Sequence, residues 1–160
     1  MLTQAQLTTL KTAILADAAM MVNVNAGNYR AVADALNVAA SPAFIVWKTD
    51  VSIDEIMRNG MDWARVDNLS VGKARIWDWL GRLGTFDASK SNVRAGIDSA
   101  WVGTSADLAV RAAVYVHCKR SATVAEKVLA TGTGSDAVPA TMGFEGQVNE
   151  RDVEDALVKG

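Results

Sequence analysis

A chain of 160 residues, half of them hydrophobic and 21% charged, has room for a sizeable core and does not have the composition of a disordered polymer. Its formal net charge of −2 excludes a general attraction to nucleic acid over the whole surface, although a local basic patch stays open. A single cysteine, Cys118, excludes an internal disulfide.

Residues Met1 to Gln6 lack the basic start and apolar run of a secretory signal, and no uncharged apolar run reaches the roughly 18 residues of a membrane span. The expectation is a soluble protein made in the cytoplasm. Thr3 and Gln6 have capping-box spacing ahead of Leu7, Leu10, Ile14 and Leu15, which predicts a helix over 2–16. The run from Asn23 to Asn28 has turn chemistry, and Tyr29, Val32 and Leu36 then mark a short second helix. Ser41-Pro42 stops it, because the residue before proline disfavours the α region. Phe44 to Trp47 is rich in β formers and reads as a short strand or a buried extended loop.

Ser52 and Glu55 open another capped helix through Ile53, Ile56 and Met57, ending at Gly60. Asp62 is placed to cap a short turn through Trp63 and Val66. Ser70 or Asn68 then caps a helix in which Ile76, Trp79, Leu80 and Leu83 form the three-four stripe, with Trp77 off it and Gly84 at the end. Asp87 or Ser89 starts the next, carrying Val93, Ile97 and Trp101 up to Gly103. Ser105 opens a helix with Leu108, Ala112 and Tyr115 on one side, and Thr123 with Glu126 forms a third capping box.

The composition then shifts. Thr131 to Asp136 is small and polar, Pro139 to Val148 reads as extended, and Asn149 or Glu150 starts a last short helix through Val153 and Leu157. The expected fold is therefore mainly α. A compact helical bundle occupies 1–130, and residues 131–160 form a Gly-rich hinge, a short extended or β C-terminal arm and a terminal helix.

Candidate chemistry is sparse. His117 and Cys118 are adjacent, and adjacent residues on a helix point about 100° apart, so they do not form a dyad; His117 reads as a helix-end residue. Gly72-Lys73-Ala74 lacks the earlier glycine and following hydroxyl of a phosphate loop, since Asp67 and Ala74 stand there. Gly132 to Ser135 reads as a linker and not an anion nest. The carboxylates Asp50, Asp54 and Glu55, and Glu150, Asp152, Glu154 and Asp155, gather at helix starts, where the dipole favours them. No catalytic residue, cofactor site or metal site is assigned.

What stands out is tryptophan. Four of five lie between Ser41 and Ile97, and Trp combines large apolar area with one polar handle. Trp63, Trp79 and Trp101 fit core periodicity, while Trp47 and Trp77 are candidate interface anchors. Pro139, Met142, Phe144 and Gln147 join them as candidate interface residues on the arm, an extended segment being able to pair with a partner's backbone. Lys73, Arg75, Arg82 and Arg94 form a candidate patch toward an acidic partner or passing DNA, with a solvated helical face as the ordinary reading.

Several of these stretches carry a likeness. Leu2 to Lys11, Ser41 to Thr49, Gly72 to Trp77, Arg94 to Ile97, and Glu145 to Val148 before a short helix resemble tailed-bacteriophage virion proteins, the head–tail connectors or neck adaptors. The resemblance spans most of the chain and rests on no catalytic motif. It implies a structural, non-enzymatic protein of the virion neck, made in the bacterial host cytoplasm. It further implies a homo-oligomeric ring, typically of twelve copies, beneath the portal protein. Its C-terminal extension would reach the portal, and the ring would pass DNA without sequence preference to a stopper or tail-terminator protein, with no membrane involved. The competing readings are another neck or tail protein, such as a head-completion or tail-terminator protein, and a small helical enzyme or DNA-binding regulator. The lone His and Cys argue against an enzyme, and the −2 charge against the regulator.

Overall fold

In the computed structural model, which describes residues 1–59 and 61–160, short polar caps divide the chain into helices much as local chemistry demands. The helix end expected at Gly60 lies outside the described residues. In chain order the elements are α1 (Gln4–Ala16), α2 (Ala18–Asn25), α3 (Tyr29–Asn37), β1 (Ile45–Trp47), β2 (Val51–Ser52), α4 (Ile53–Arg58), α5 (Trp63–Asp67) and α6 (Val71–Arg82). There follow β3 (Thr85–Phe86), α7 (Ser91–Ala100), α8 (Ser105–His117), β4 (Lys119–Ser121), α9 (Val124–Val128), β5 (Ala130–Thr131), β6 (Thr141–Met142) and α10 (Glu150–Lys159). The chain is mainly α, with helical packing throughout. Its strands are short and form two-stranded sheets, β1 with β4, β2 with β3 and β5 with β6.

Two compact units result: residues 1–46 with 121–160, and residues 47–120. The division expected at 130/131 is therefore corrected. The C-terminal segment belongs to the first unit, because its apolar side chains complete that unit's core.

In the first unit, the capping box of Thr3 and Gln6 starts α1, which buries Leu7, Leu10 and Ile14. One carboxylate then turns the chain: Asp17 Oδ1 accepts from the amides of Ala19 and Met20 at 2.9 and 3.0 Å and starts α2, a helix not foreseen in the sequence. Asn28 caps α3, whose Val32, Ala33 and Leu36 are buried. α10 brings Val153 and Ala156 into this same core, joined by Val148 and partly buried Phe144 and Leu157. The Asn37 side chain secures the approach to α10, its amide donating to the Val148 carbonyl at 2.8 Å and its oxygen accepting the Val148 N–H at 3.0 Å. Each fully buried Val or Leu removes enough apolar area to contribute about 1.5–3 kcal/mol, so α10 is integral to this unit.

The Gly-rich stretch is a packed turn. β5 and β6 are antiparallel, with Ala130 opposite Met142 and Thr131 opposite Thr141. Gly134 sits at φ +67°, and the Phe44 ring occupies the space a Cβ would need. Only glycine meets both conditions. The Gly134 carbonyl accepts from Ile45 N–H at 2.7 Å, and Ala140 N–H donates to the Ile45 carbonyl at 2.9 Å.

The second unit is built on α4 to α8. Ser52 and Asp62 cap α4 and α5 as their positions in the sequence require. The start of α8 differs by one residue: Thr104 and Asp107 form its capping box, where Ser105 was the expected opener. α7 begins after Lys90, later than Asp87 or Ser89 suggested. The core here gathers Val51, Ile56, Trp77, Phe86, Ile97, Trp101, Val110, Val114 and Cys118.

Candidate interaction surface

The tryptophans sort themselves differently from their periodicity. Trp101, fully buried at the C-terminus of α7, meets Trp77 of α6 edge to face, ring centroids 5.4 Å apart and planes at 76°. That geometry sets a positive ring edge against a negative face. Trp77 is 5% exposed and is a core residue, which corrects its reading as an interface anchor. Trp79 is 62% exposed and Trp63 58%, which corrects their assignment to the core. The stripe slipped because Trp77 and Trp79 point about 200° apart on one helix and both are apolar; the aromatic partner Trp101 decides which turns inward. On α5, Val66 takes the inward position instead of Trp63.

Trp47 is half-buried in a network of its own unit. Its ring lies 5.6 Å from Tyr115, with the Arg94 guanidinium 4.8 Å and the Lys119 ammonium 6.0 Å from its centroid. The Tyr115 hydroxyl is 2.9 Å from Asp98 Oδ1 and 3.2 Å from the Arg94 carbonyl. Burial and the Asp98 carboxylate push its pKa upward. Trp47 is thus held as a wall of this cluster and stays half-buried.

Most of the proposed basic patch is committed within the chain. Lys73 Nζ donates to the Val102 carbonyl at 2.5 Å. Arg94 Nη1 donates to the carbonyls of Ala88 and Ser89 at 2.7 Å each. Arg82 pairs with Asp78 at 2.9 Å. Arg75 alone of the four has no ion pair or hydrogen bond among the described residues. These side chains do not converge into one free cationic patch, because two of them satisfy backbone carbonyls.

The apolar arm residues Pro139, Met142 and Phe144 are likewise corrected. Pro139 is buried, Met142 packs on Val46, Ala122 and Ala140, and Phe144 packs on the first unit's core. Gln147 remains exposed. A segment whose apolar side chains fill its own unit does not reach outward with them.

Polar groups elsewhere serve the fold. Arg65 Nη2 donates to Asp107 Oδ1 at 2.6 Å, and the Thr104 N–H and hydroxyl donate to Asp107 Oδ2 at 3.1 and 2.8 Å. Chiefly through Arg65, then through Thr104, the Asp107 carboxyl is lowered to about 2. Asp107, not Leu108, turns inward on α8, since Arg65 and Thr104 satisfy it; Leu108 is 41% exposed. His117 lies 3.3 Å from Glu55 Oε1 and 2.9 Å from the Asn59 carbonyl. Cys118 is buried in the core, which pushes its thiol up to about 12, and it packs there among hydrophobic side chains. His117 and Cys118 do not meet. Among the described residues no group of three His, Cys, Asp or Glu side chains is placed to hold a metal ion, and no single helix is long and apolar enough to cross a membrane.

The second unit also presents large apolar side chains outward. Val71, Trp79 and Leu83 of the α6 region are 76%, 62% and 66% exposed, with Trp63 at the start of α5. On the Trp77 side of α6, α4, α5 and α6 border a groove of about 430 Å³ lined by Ile53, Met57, Val66, Ala74, Trp77 and Gly81, with the paired Asp78 and Arg82. Soluble chains scatter single exposed apolar residues, but several on one helix make a candidate surface for interaction. The sequence signal for it was the second Trp of Trp77-Asp78-Trp79, which one apolar stripe cannot absorb. The chain matches no family model, and no curated protein or solved structure is significantly similar to it.

Proposed function

We propose that the chain is a structural subunit of a tailed-phage neck, a head–tail connector that assembles with copies of itself beneath the portal. It joins the capsid vertex to the stopper or tail protein while DNA passes. The observation that carries the assembly role is the outward display of Trp63, Val71, Trp79 and Leu83. Exposed Trp is the side chain that gains most from a desolvated interface. The resemblance of the sequence supplies which assembly it is.

The packing changes how such a connector works. Contacts to neighbours come from helical faces, because residues 131–160 are built into the first unit. A chain of net charge −2 whose mid-chain cations are mostly paired suits a channel that lets DNA slide without holding it.

Purified virions test the reading. Quantitative mass spectrometry is expected to find the chain at a fixed copy number, and cryo-electron microscopy to find it between portal and tail. A chain present in infected cells but missing from particles contradicts it. Salt-sensitive, sequence-specific DNA binding by the isolated protein instead supports the regulator.

A further inference from the structure

Two exposed helical faces of this chain are complementary to each other. On the α6 side, Val71, Arg75, Trp79 and Leu83 follow at four-residue steps and form one ridge, all exposed. Arg75 has no partner among the described residues, and the Arg82–Asp78 pair beside it is open to solvent, at 76% and 56% side-chain exposure. On α10, Glu150, Glu154 and Val158 form a ridge of the same step. Neither glutamate has a partner among the described residues, and Val158 is 76% exposed. Along that face runs a shallow depression of about 680 Å³ lined by Glu150, Glu154 and Val158 with Arg151, Asp155 and Lys159.

Ridges at four-residue steps interdigitate in the commonest class of helix packing. With the helices antiparallel, each step advances about 6 Å on both. Val71 then meets Val158, Arg75 meets Glu154, and Trp79 covers the aliphatic stem of Glu150, whose carboxylate Arg82 reaches from the next turn. Unpaired guanidinium opposes unpaired carboxylate, and the apolar residues coincide.

We infer that α6 of one copy docks on α10 of a second copy through this register. The inference rests on the reading of the chain as a self-assembling subunit and names the surfaces that do it. Because the two faces differ, the contact is heterologous, and each copy carries one of each. Such contacts propagate until they close into a ring or continue as a filament.

The test uses two full-length variants. Arg75→Glu with Arg82→Glu makes the α6 face acidic; Glu150→Arg with Glu154→Arg makes the α10 face basic. Sedimentation velocity is expected to show each variant alone associating at least about tenfold more weakly than the wild type. An equimolar mixture regains assembly, since each face then finds its opposite on the other variant. Trp79→Ala, which leaves α10 intact, weakens assembly by a similar factor. Circular dichroism confirms that each variant is folded. Assembly that survives Arg75→Glu/Arg82→Glu, or a mixture that fails to recover, overturns this contact and leaves self-assembly standing. A wild type that remains a monomer with portal protein present as well as absent overturns both.

Discussion

Single side chains divide the two roles in this molecule. Trp101 and Trp79 are the same residue type in the same unit, one enclosed and one 62% exposed. Trp101→Ala opens a cavity against Trp77 and is expected to destabilise the chain by about 3–5 kcal/mol, whereas Trp79→Ala stays within about 0.5 kcal/mol. Urea denaturation followed by circular dichroism checks the pair, and equal midpoints would refute the burial pattern. Asp107 supplies a second test at this scale. Its folded-state pKa of about 2 lies below the ordinary 3.8, so its contribution is present above about pH 4 and is lost as pH falls through about 2. Asp107→Asn is expected to be less stable than the wild type at pH 7, the gap closing between pH 4 and 2. A gap that persists at pH 2 contradicts the Arg65–Asp107 pairing. The inward turn of Asp107 was hidden in the sequence because Arg65 stands 42 positions away.

Helices were legible where their cause is local. The boxes at Thr3–Gln6 and Thr123–Glu126, the Ser52 and Asp62 caps and the Asn149 start each depend on residues three or four apart, and each is where the sequence places it. α2 went unread since Asp17 both closes one helix and opens the next without an intervening turn signal. Which face of α6 turns inward, and where α10 docks, depend on partners distant in the chain, beyond the reach of spacing. α10 is the clearest case. It reads as the end of an arm, yet it packs against α1 and α3. Truncation before Asn149 is expected to unfold the first unit, with loss of helical signal well beyond the deleted residues and loss of cooperative melting. A truncated chain retaining full helicity over 4–37 by NMR would show that α10 is dispensable after all.

At the scale of the whole molecule, two cores drawn from one chain present two chemically different outer faces. The Trp-bearing face of α6 belongs to residues 47–120, and the acidic row of α10 to the unit formed by 1–46 and 121–160. Residues of this kind stay hydrated in a monomer and gain by meeting their complements, as the proposed assembly role requires. The most direct measurement is the mass of the purified full-length chain in solution, followed by sedimentation equilibrium across a concentration series, alone and with portal protein. An assembly subunit gives a mass that rises with concentration, or on portal addition, from 17.0 kDa to a discrete multiple of it. A mass that stays at 17.0 kDa at every concentration, with portal present or absent, contradicts the assembly role.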